Sequence, residues 1–297
     1  MAQWLFLGSM KQFILLLLAT FIWGLGYVGT RWTLFEYSPT WSNALRFFFA
    51  GVFVLPYLFM NRDRIPIVGA FWSSVVLFIA MQLQTVGIAN TTLAKSGFLT
   101  VFYALFTPLL TLMLFKQKFK PGYWFLLASS LVGIFLICDM DISNFNEGDG
   151  YILMSAFAFA VQILVVDKWA DEVDPLLFNF MQCALVGVWG LGYAYLLEGP
   201  VSLSPLVDFS SHENQLVILG FVVLSILSSL VAFTLQIYAQ KGMPPHIVSL
   251  CFLMESVFAA FFGYAFFKES LTLMAIMGCI LVVTSVALIP RFTHYQK

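Results

Sequence analysis

Long apolar stretches without alternation, each closed by a short polar connection, run the length of this chain. A half-buried strand alternates apolar and polar residues with a period of two, and a membrane β-strand does so over about ten residues. Neither pattern occurs here. Apolar runs of about 20 residues instead match the length a helix needs to cross a hydrocarbon core of about 30 Å. The pattern predicts helices over residues 12–31, 41–60, 67–89, 95–115, 122–139, 150–168, 175–197, 215–239, 246–267 and 271–290. The longest connection, from Glu198 to Glu213, holds Gly199, two prolines and several serines. No segment outside the bilayer is long enough to bury a soluble core, so any chemistry belongs inside the helix bundle.

Composition agrees with the pattern. Of 297 residues, 61% are hydrophobic and only 10% charged, outside the range of soluble domains. The lipid bilayer is therefore the first partner of this all-α chain. The run from Phe13 to Thr30 follows Lys11 without a small-residue cleavage signature and reads as a retained span rather than a signal peptide. A net charge of -1 and the lack of a basic tract exclude nucleic acid as a partner. Cys138, Cys183, Cys251 and Cys279 stand singly in apolar runs and read as packing residues. His212, His246 and His294 lie far apart, so no metal and no other cofactor is expected.

Lysine and arginine favour cytoplasmic loops. With the amino terminus inside, the inner segments hold Lys11, Arg62, Arg64, Lys116, Lys118, Lys120, Lys168, Lys241, Arg291 and Lys297, and the outer ones Arg31, Lys95 and Lys268. Ten against three puts both termini in the cytoplasm and the acidic stretch from Asp139 to Gly150 outside. The chain also repeats itself. Laying Pro39 over Pro175 sets Trp32 near Trp169 and Arg46 over Gln182, and the offset grows to about 150 towards the ends of the halves. Two halves of five spans, residues 1–140 and 150–290, must enter the membrane in opposite senses because five is odd. The expected fold is ten transmembrane helices as two inverted five-helix repeats, a plan of secondary transporters that bind substrate near the midplane.

Intramembrane charge costs about 2.5 to 3.5 kcal/mol on insertion scales, so it faces the bundle interior or water. Arg46, in the second span, and Glu255, roughly 15 Å into the ninth, are the two that sit well within spans. Arg46 shares a helix face with Ser42, Asn43, Ala50 and Gly51, and Glu255 has Ser256, Ala259 and Gly263 nearby. Two roles are open. Arg46 offers a fork to a carboxylate or phosphate and Glu255 takes a proton or an ammonium; or the two pair with each other or with backbone carbonyls, and Arg46 snorkels outward. Gln82, Gln84, Gln162, Gln182, Ser225, Ser228, Ser229, Thr234 and Gln236 form a second, neutral tier, of which a few should line a cavity. Trp32, Tyr37 and Trp41 read as an interfacial belt, whereas Trp23, Tyr27 and Tyr103 lie deeper and each needs a polar partner. Pro108 in the fourth span is a hinge or a static kink, and Pro244 and Pro245 precede the ninth. The substrate-binding candidates are thus Trp23, Tyr27, Arg46, Gln84, Tyr103, Gln162, Gln236 and Glu255, with Glu255 also the proton-coupling candidate.

Four stretches carry a family resemblance: "ATFIWGLGYVGTRW" from Ala19, "SPTWSNALRFFFAGV" from Ser38, "TTLAKSGFLTVFYALFTPLLTLMLFKQK" from Thr91 and "SSLVAFTLQIYAQKGMPPHIVSLCFLMESVFAAFFGYAFFKESLT" from Ser228. In order and spacing they resemble the drug/metabolite transporter superfamily, in particular its EamA-type metabolite exporters. The resemblance implies alternating access around a central cavity and, often, export of amino acids or other metabolites. It matches Arg46 to the arginine of the second helix, Glu255 to the glutamate of the ninth and Glu269 to the glutamate that follows it. Ser256 stands where the family often has proline and Gln117 where it often has glutamate, so a straighter ninth helix is expected. The lack of a P-loop points to gradient-driven transport.

The expected function is secondary transport of a small polar or amphipathic metabolite, an amino acid or related compound, across a bacterial inner (plasma) membrane, outward, by a monomer or homodimer. A nucleotide sugar or other phosphorylated metabolite is the alternative cargo, although Arg46 is the one deep cation. A membrane-embedded enzyme on lipid-linked substrates would need the acidic cluster Asp167, Asp171, Glu172 and Asp174, which includes no histidine.

Overall fold

Turn chemistry sets where each helix begins. Proline, whose missing N–H costs nothing in a first turn, opens α2 (Pro39–Met60), α5 (Pro121–Ile137), α7 (Pro175–Glu198) and the first part of α9 (Pro245–Cys251). Ser38 and Asp174 cap the first free N–H groups of α2 and α7. At the start of α6 (Glu147–Ala170), Asn146 and Asp149 form a capping box with both bonds at 3.0 Å. Lys95 reaches the same carboxylate at 3.1 Å and so ties its own helix to α6.

The computed structural model describes residues 2–91, 93–138 and 145–289, and its regular elements are all helical. Besides those above they are α1 (Ala2–Thr33), α3 (Ile67–Asn90), α4 in two segments (Leu93–Thr100 and Tyr103–Phe115), α8 (His212–Gln240), the second segment of α9 (Met254–Phe267) and α10 (Leu273–Ala287). Eight of these, α1 to α4 and α6 to α9, are long and apolar enough to cross a membrane. The apolar helices α5 and α10 have 17 and 15 residues, about 26 and 23 Å at 1.5 Å per residue, and fall short of a full hydrocarbon core. Arg291, His294, Lys297 and the first residues of the acidic stretch, 139–144, lie outside the described residues.

The connections gather at two ends. At one, the Tyr37 end, Arg31 meets Glu269 at 3.6 Å, Ser38 donates to Glu198 at 2.5 Å, and the Tyr37 hydroxyl donates to the Ser202 carbonyl at 3.2 Å. At the other, the Asn61 end, Lys241 donates to the Val173 carbonyl at 2.9 Å and the Tyr123 hydroxyl to the His246 carbonyl at 3.3 Å. Between them, α2 packs along α7, α3 along α6, α5 along α10, and α1 lies against α8 and α9. Small residues allow these approaches. A methyl on Gly133 would stand 2.8 Å from the Gly278 carbonyl, and one on Gly278 would fall still closer to the Gly133 carbonyl, so α5 and α10 cross backbone to backbone.

Several expectations fail. Trp32, Tyr37 and Trp41 are buried, at 6%, 3% and 8% exposure, because Phe266 and Phe221 pack edge-on to Trp32 and Tyr37. They are core residues, not an interfacial belt. Pro108 lies inside a continuous segment, and α4 breaks earlier, at Val101 and Phe102. Nor is α9 straight: it breaks at Phe252 and Leu253 although Ser256 replaces the expected proline. Both breaks are single turns tightened by i to i+3 bonds, Phe102 N to Leu99 O at 3.2 Å and Leu253 N to Leu250 O at 3.3 Å.

Candidate functional site

The breaks in α4 and α9 meet beside a cavity in the bundle, where the Tyr103 and Phe252 rings pack edge-on at 6.0 Å. Helix spacing delivers its walls. Trp23, Gly26, Tyr27 and Thr30 form one face of α1, and Met81, Gln84 and Ile88 one face of α3, each at intervals of three and four residues. Thr100 and Tyr103 flank the α4 break, while Phe252 and Glu255 mark the α9 break. Phe159, Gln162 and Ile163 of α6, Ser228, Phe233 and Gln236 of α8, and Arg46 of α2 complete it.

All eight sequence-derived candidates, Trp23, Tyr27, Arg46, Gln84, Tyr103, Gln162, Gln236 and Glu255, therefore share one wall-to-wall space. Arg46 does not snorkel. Its side chain is 6% exposed, with Nε donating to Ser229 Oγ at 2.8 Å, one Nη to Ser228 Oγ at 2.7 Å and the other to Met81 Sδ at 3.5 Å. The Phe47 ring lies 5.0 Å from its carbon. Of the five N–H groups of a guanidinium, those contacts use three and leave two. The alternative in which Arg46 pairs with Glu255 does not hold: no described carboxylate stands within ion-pair distance of Arg46, nor any described cation near Glu255. Glu255, 9% exposed, accepts from the Tyr103 hydroxyl at 3.4 Å instead.

The widened backbone of α8 holds the guanidinium in place. Residues Val223–Ala232 form a π-helix, a rare geometry that concentrates at functional sites. The Asn179 amide of α7 donates to the Ser229 and Leu230 carbonyls at 3.0 and 2.9 Å, and Trp23 Nε1 donates to the Ser228 carbonyl at 3.3 Å. Asn179 was not among the candidates; a lone asparagine in an apolar run carries no spacing signal. Ser228 and Ser229 stood in the neutral tier, and Thr100 was missed because nothing in the pattern marks the turn beside it.

The remaining neutral residues divide. Gln84 donates to Thr100 Oγ1 at 3.4 Å, and Gln162, buried at 1%, has its amide nitrogen on the cavity without a hydrogen-bond partner. Gln236 donates to Gln162 at 3.2 Å and to Gln240 at 2.9 Å, and Gln240 to the Ile163 carbonyl at 2.9 Å. That ladder runs towards the Asn61 end, where Leu16, Met243, Ile247, Val248, Leu250 and Cys251 fill the bundle. In the opposite direction the lining reaches Thr30 and Ile88, within a turn of the Tyr37 ends of α1 and α3. Gln82 bonds with Asn43 and Thr40, Gln182 with Ser73 and Asn179, and Thr234 with Asn179, all between helices rather than in the cavity. Within the acidic cluster, Asp174 serves as the cap of α7.

A profile of the EamA-like transporter family matches residues 10–138 and again 146–291. An uncharacterized transporter of Archaeoglobus fulgidus is 26% identical, over 92% of this chain and 84% of its own. A WAT1-related chloroplast protein of Arabidopsis thaliana is 22% identical over 95% of this chain and 70% of its own. The S-adenosylmethionine uptake transporter of Rickettsia prowazekii is 20% identical over 86% and 83%. One protein crystal structure superposes with a TM-score of 0.73 at 15% identity, covering 94% of this chain and 96% of that one, a likeness of fold.

Proposed function

The chain belongs to the EamA-like transporter family and is a multi-pass membrane transporter of small metabolites; from that premise we propose that its cargo is a small zwitterion, an amino acid or related compound, moved outward across a bacterial-type inner (plasma) membrane by alternating access. One observation carries the reading: Arg46 and Glu255 open on the same cavity without pairing with each other. A fixed cation and a fixed carboxylate held apart in a low dielectric match a solute with a carboxylate at one point and an ammonium at another. The two free N–H groups of Arg46 suit the carboxylate, and the unpartnered Gln162 amide offers a further donor. Trp23, Phe159, Phe233 and Phe252 supply apolar wall for a side chain. The cargo named for the Rickettsia relative is itself an amino-acid derivative, though taken up rather than exported.

The inverted-repeat plan draws support from the cavity itself. An offset of 136 relates Trp23 to Phe159, Gly26 to Gln162 and Tyr27 to Ile163; an offset of 152 relates Met81 to Phe233, Gln84 to Gln236, Thr100 to Phe252 and Tyr103 to Glu255. Fourteen of the eighteen lining residues thus fall into related pairs, and the last pair is hydrogen-bonded across the cavity. Lys116 and Lys268, also 152 apart, are the described non-glycine residues of positive φ, both at 55°. We take the halves as residues 1–140 and 150–290, with α5 and α10 as their fifth spans and the lysine-rich Asn61 end in the cytoplasm.

A nucleotide sugar fits less well, since several phosphate charges would meet one cation. The test is counterflow into proteoliposomes of labelled amino acids, nucleotides and nucleotide sugars, under an imposed pH gradient, with the intact protein and with Glu255→Gln. Accumulation of amino acids that loses its pH dependence in the variant supports both cargo and proton coupling. Nucleotide-sugar uptake, or amino-acid transport indifferent to Glu255, overturns the corresponding part.

A further inference from the structure

Beside the central cavity lies a second chamber, between α1, α4, α5, α9 and α10. Tyr27 is the one described residue that lines both spaces. The α9 break sets two consecutive side chains to opposite sides: Glu255 faces the cavity and Ser256 the chamber. Ser256 is 5% exposed, and its hydroxyl has no hydrogen-bond partner. A buried hydroxyl left unmade costs about 1 to 3 kcal/mol, so this group is suited to a visiting polar solute. From there the walls are small residues, Gly97, Ala259 and Gly263 among them, and at the Tyr37 end they reach Glu269, which is held by Arg31 at 3.6 Å. The Gly97 wall borders open space, with nothing within 4 Å of where a β-carbon would stand.

We propose that this chamber is a second station for the transported solute, between the central cavity and the Tyr37 end, with Tyr27 as the partition. The proposal rests on the transport reading above. A small molecule leaving Glu255 exchanges a carboxylate for the Ser256 hydroxyl one residue along the same helix, and passes once the Tyr27 side chain turns aside. The Glu269 carboxylate and its bond to Arg31 close the far mouth.

Gly97→Phe tests this, because Gly97 lines the chamber and a β-carbon there would meet nothing within 4 Å. Gly192→Phe is the matched control: Gly192 also has nothing within 4 Å, but it is exposed on α7, away from both spaces. The measurements are counterflow and equilibrium binding of a tritiated amino-acid mixture. Gly97→Phe should slow counterflow by about tenfold or more and leave binding unchanged, as expected when the passage rather than the central site is blocked. Wild-type counterflow in that variant overturns the proposal and leaves the chamber a side pocket, as for a lipid chain. Should Gly97→Phe fail to fold, Gly97→Cys in a Cys138→Ala background, reacted with a bulky methanethiosulfonate after purification, decides: inhibition reversed by reductant supports the station, and full activity overturns it. If the intact protein neither binds nor moves the mixture, it is the amino-acid reading that has failed, which the same control experiment separates from failure at Gly97.

Discussion

At the scale of single residues, Arg46 turns on how its charge is held. Serine hydroxyls and a thioether fix the fork without neutralising it, so the positive charge stays available to a ligand in the cavity. Arg46→Lys keeps the charge but cannot span Ser228 and Ser229 while also presenting a planar pair of donors. Amino-acid binding should weaken by about tenfold or more in Arg46→Lys, and further in Arg46→Gln, as expected for hydrogen bonds to charged groups of about 1.5 to 3 kcal/mol. Isothermal titration in detergent checks this. Equal affinity in all three proteins would make Arg46 a packing group. Sequence alone could find Arg46 and Glu255, because charge in an apolar run is rare and physically constrained. It could not find Thr100 or Asn179, since a neutral side chain acquires its role from the turn or carbonyls it meets.

At the scale of helices, boundaries are readable to within three residues except at the start of α1, expected at residue 12 and found at Ala2, and internal geometry is not. Proline marks helix starts here, at Pro39, Pro121, Pro175 and Pro245, whereas both helix breaks beside the cavity lack it. Both breaks lie beside the Tyr103 to Glu255 side-chain bond that joins α4 to α9. The π-helix of α8 survives because Asn179 occupies carbonyls that a regular turn would use. Asn179→Leu should remove one donor from each carbonyl, leaving Cys183 Sγ on Ser229 and the Thr234 hydroxyl on Leu230, and cost about 0.5 to 1.5 kcal/mol per lost bond, visible as a lower melting temperature in detergent. Unchanged melting would mean that the π-helical stretch is intrinsic to the α8 sequence. The α5 and α10 crossing gives a second check. Gly278→Val drives a side chain into the Gly133 backbone, which cannot retreat as a flexible side chain would. Overpacking of that kind typically costs about 1 to 3 kcal/mol, occasionally more, so Gly278→Val should melt well below the wild type and below Gly192→Ala. Equal stability would show that the two helices separate easily.

At the scale of the whole molecule, the charge count, the proposed repeat and the cavity each bear on the proposed mechanism by a different route. Loop lysines depend on membrane insertion, the repeat on gene-level duplication, and the lining pairs on packing. The cavity reaches towards the Tyr37 end, and the Asn61 end is sealed by Gln236, Gln240 and the buried residues around Val248. If two halves related as proposed exchange their arrangements, the seal must move to the other end, and accessibility at the two ends must change in opposite directions. In a background without the four native cysteines, Ile88→Cys, at a position 8% exposed, should react slowly with an impermeant maleimide added from outside, and Val248→Cys, at a position 0% exposed, should resist reagent from within. An amino-acid gradient that drives turnover should lower labelling at Ile88 and raise it at Val248. Parallel changes would indicate loosening of the bundle rather than exchange, and constant labelling at both positions during measured transport would exclude alternating access as the way this chain moves its cargo.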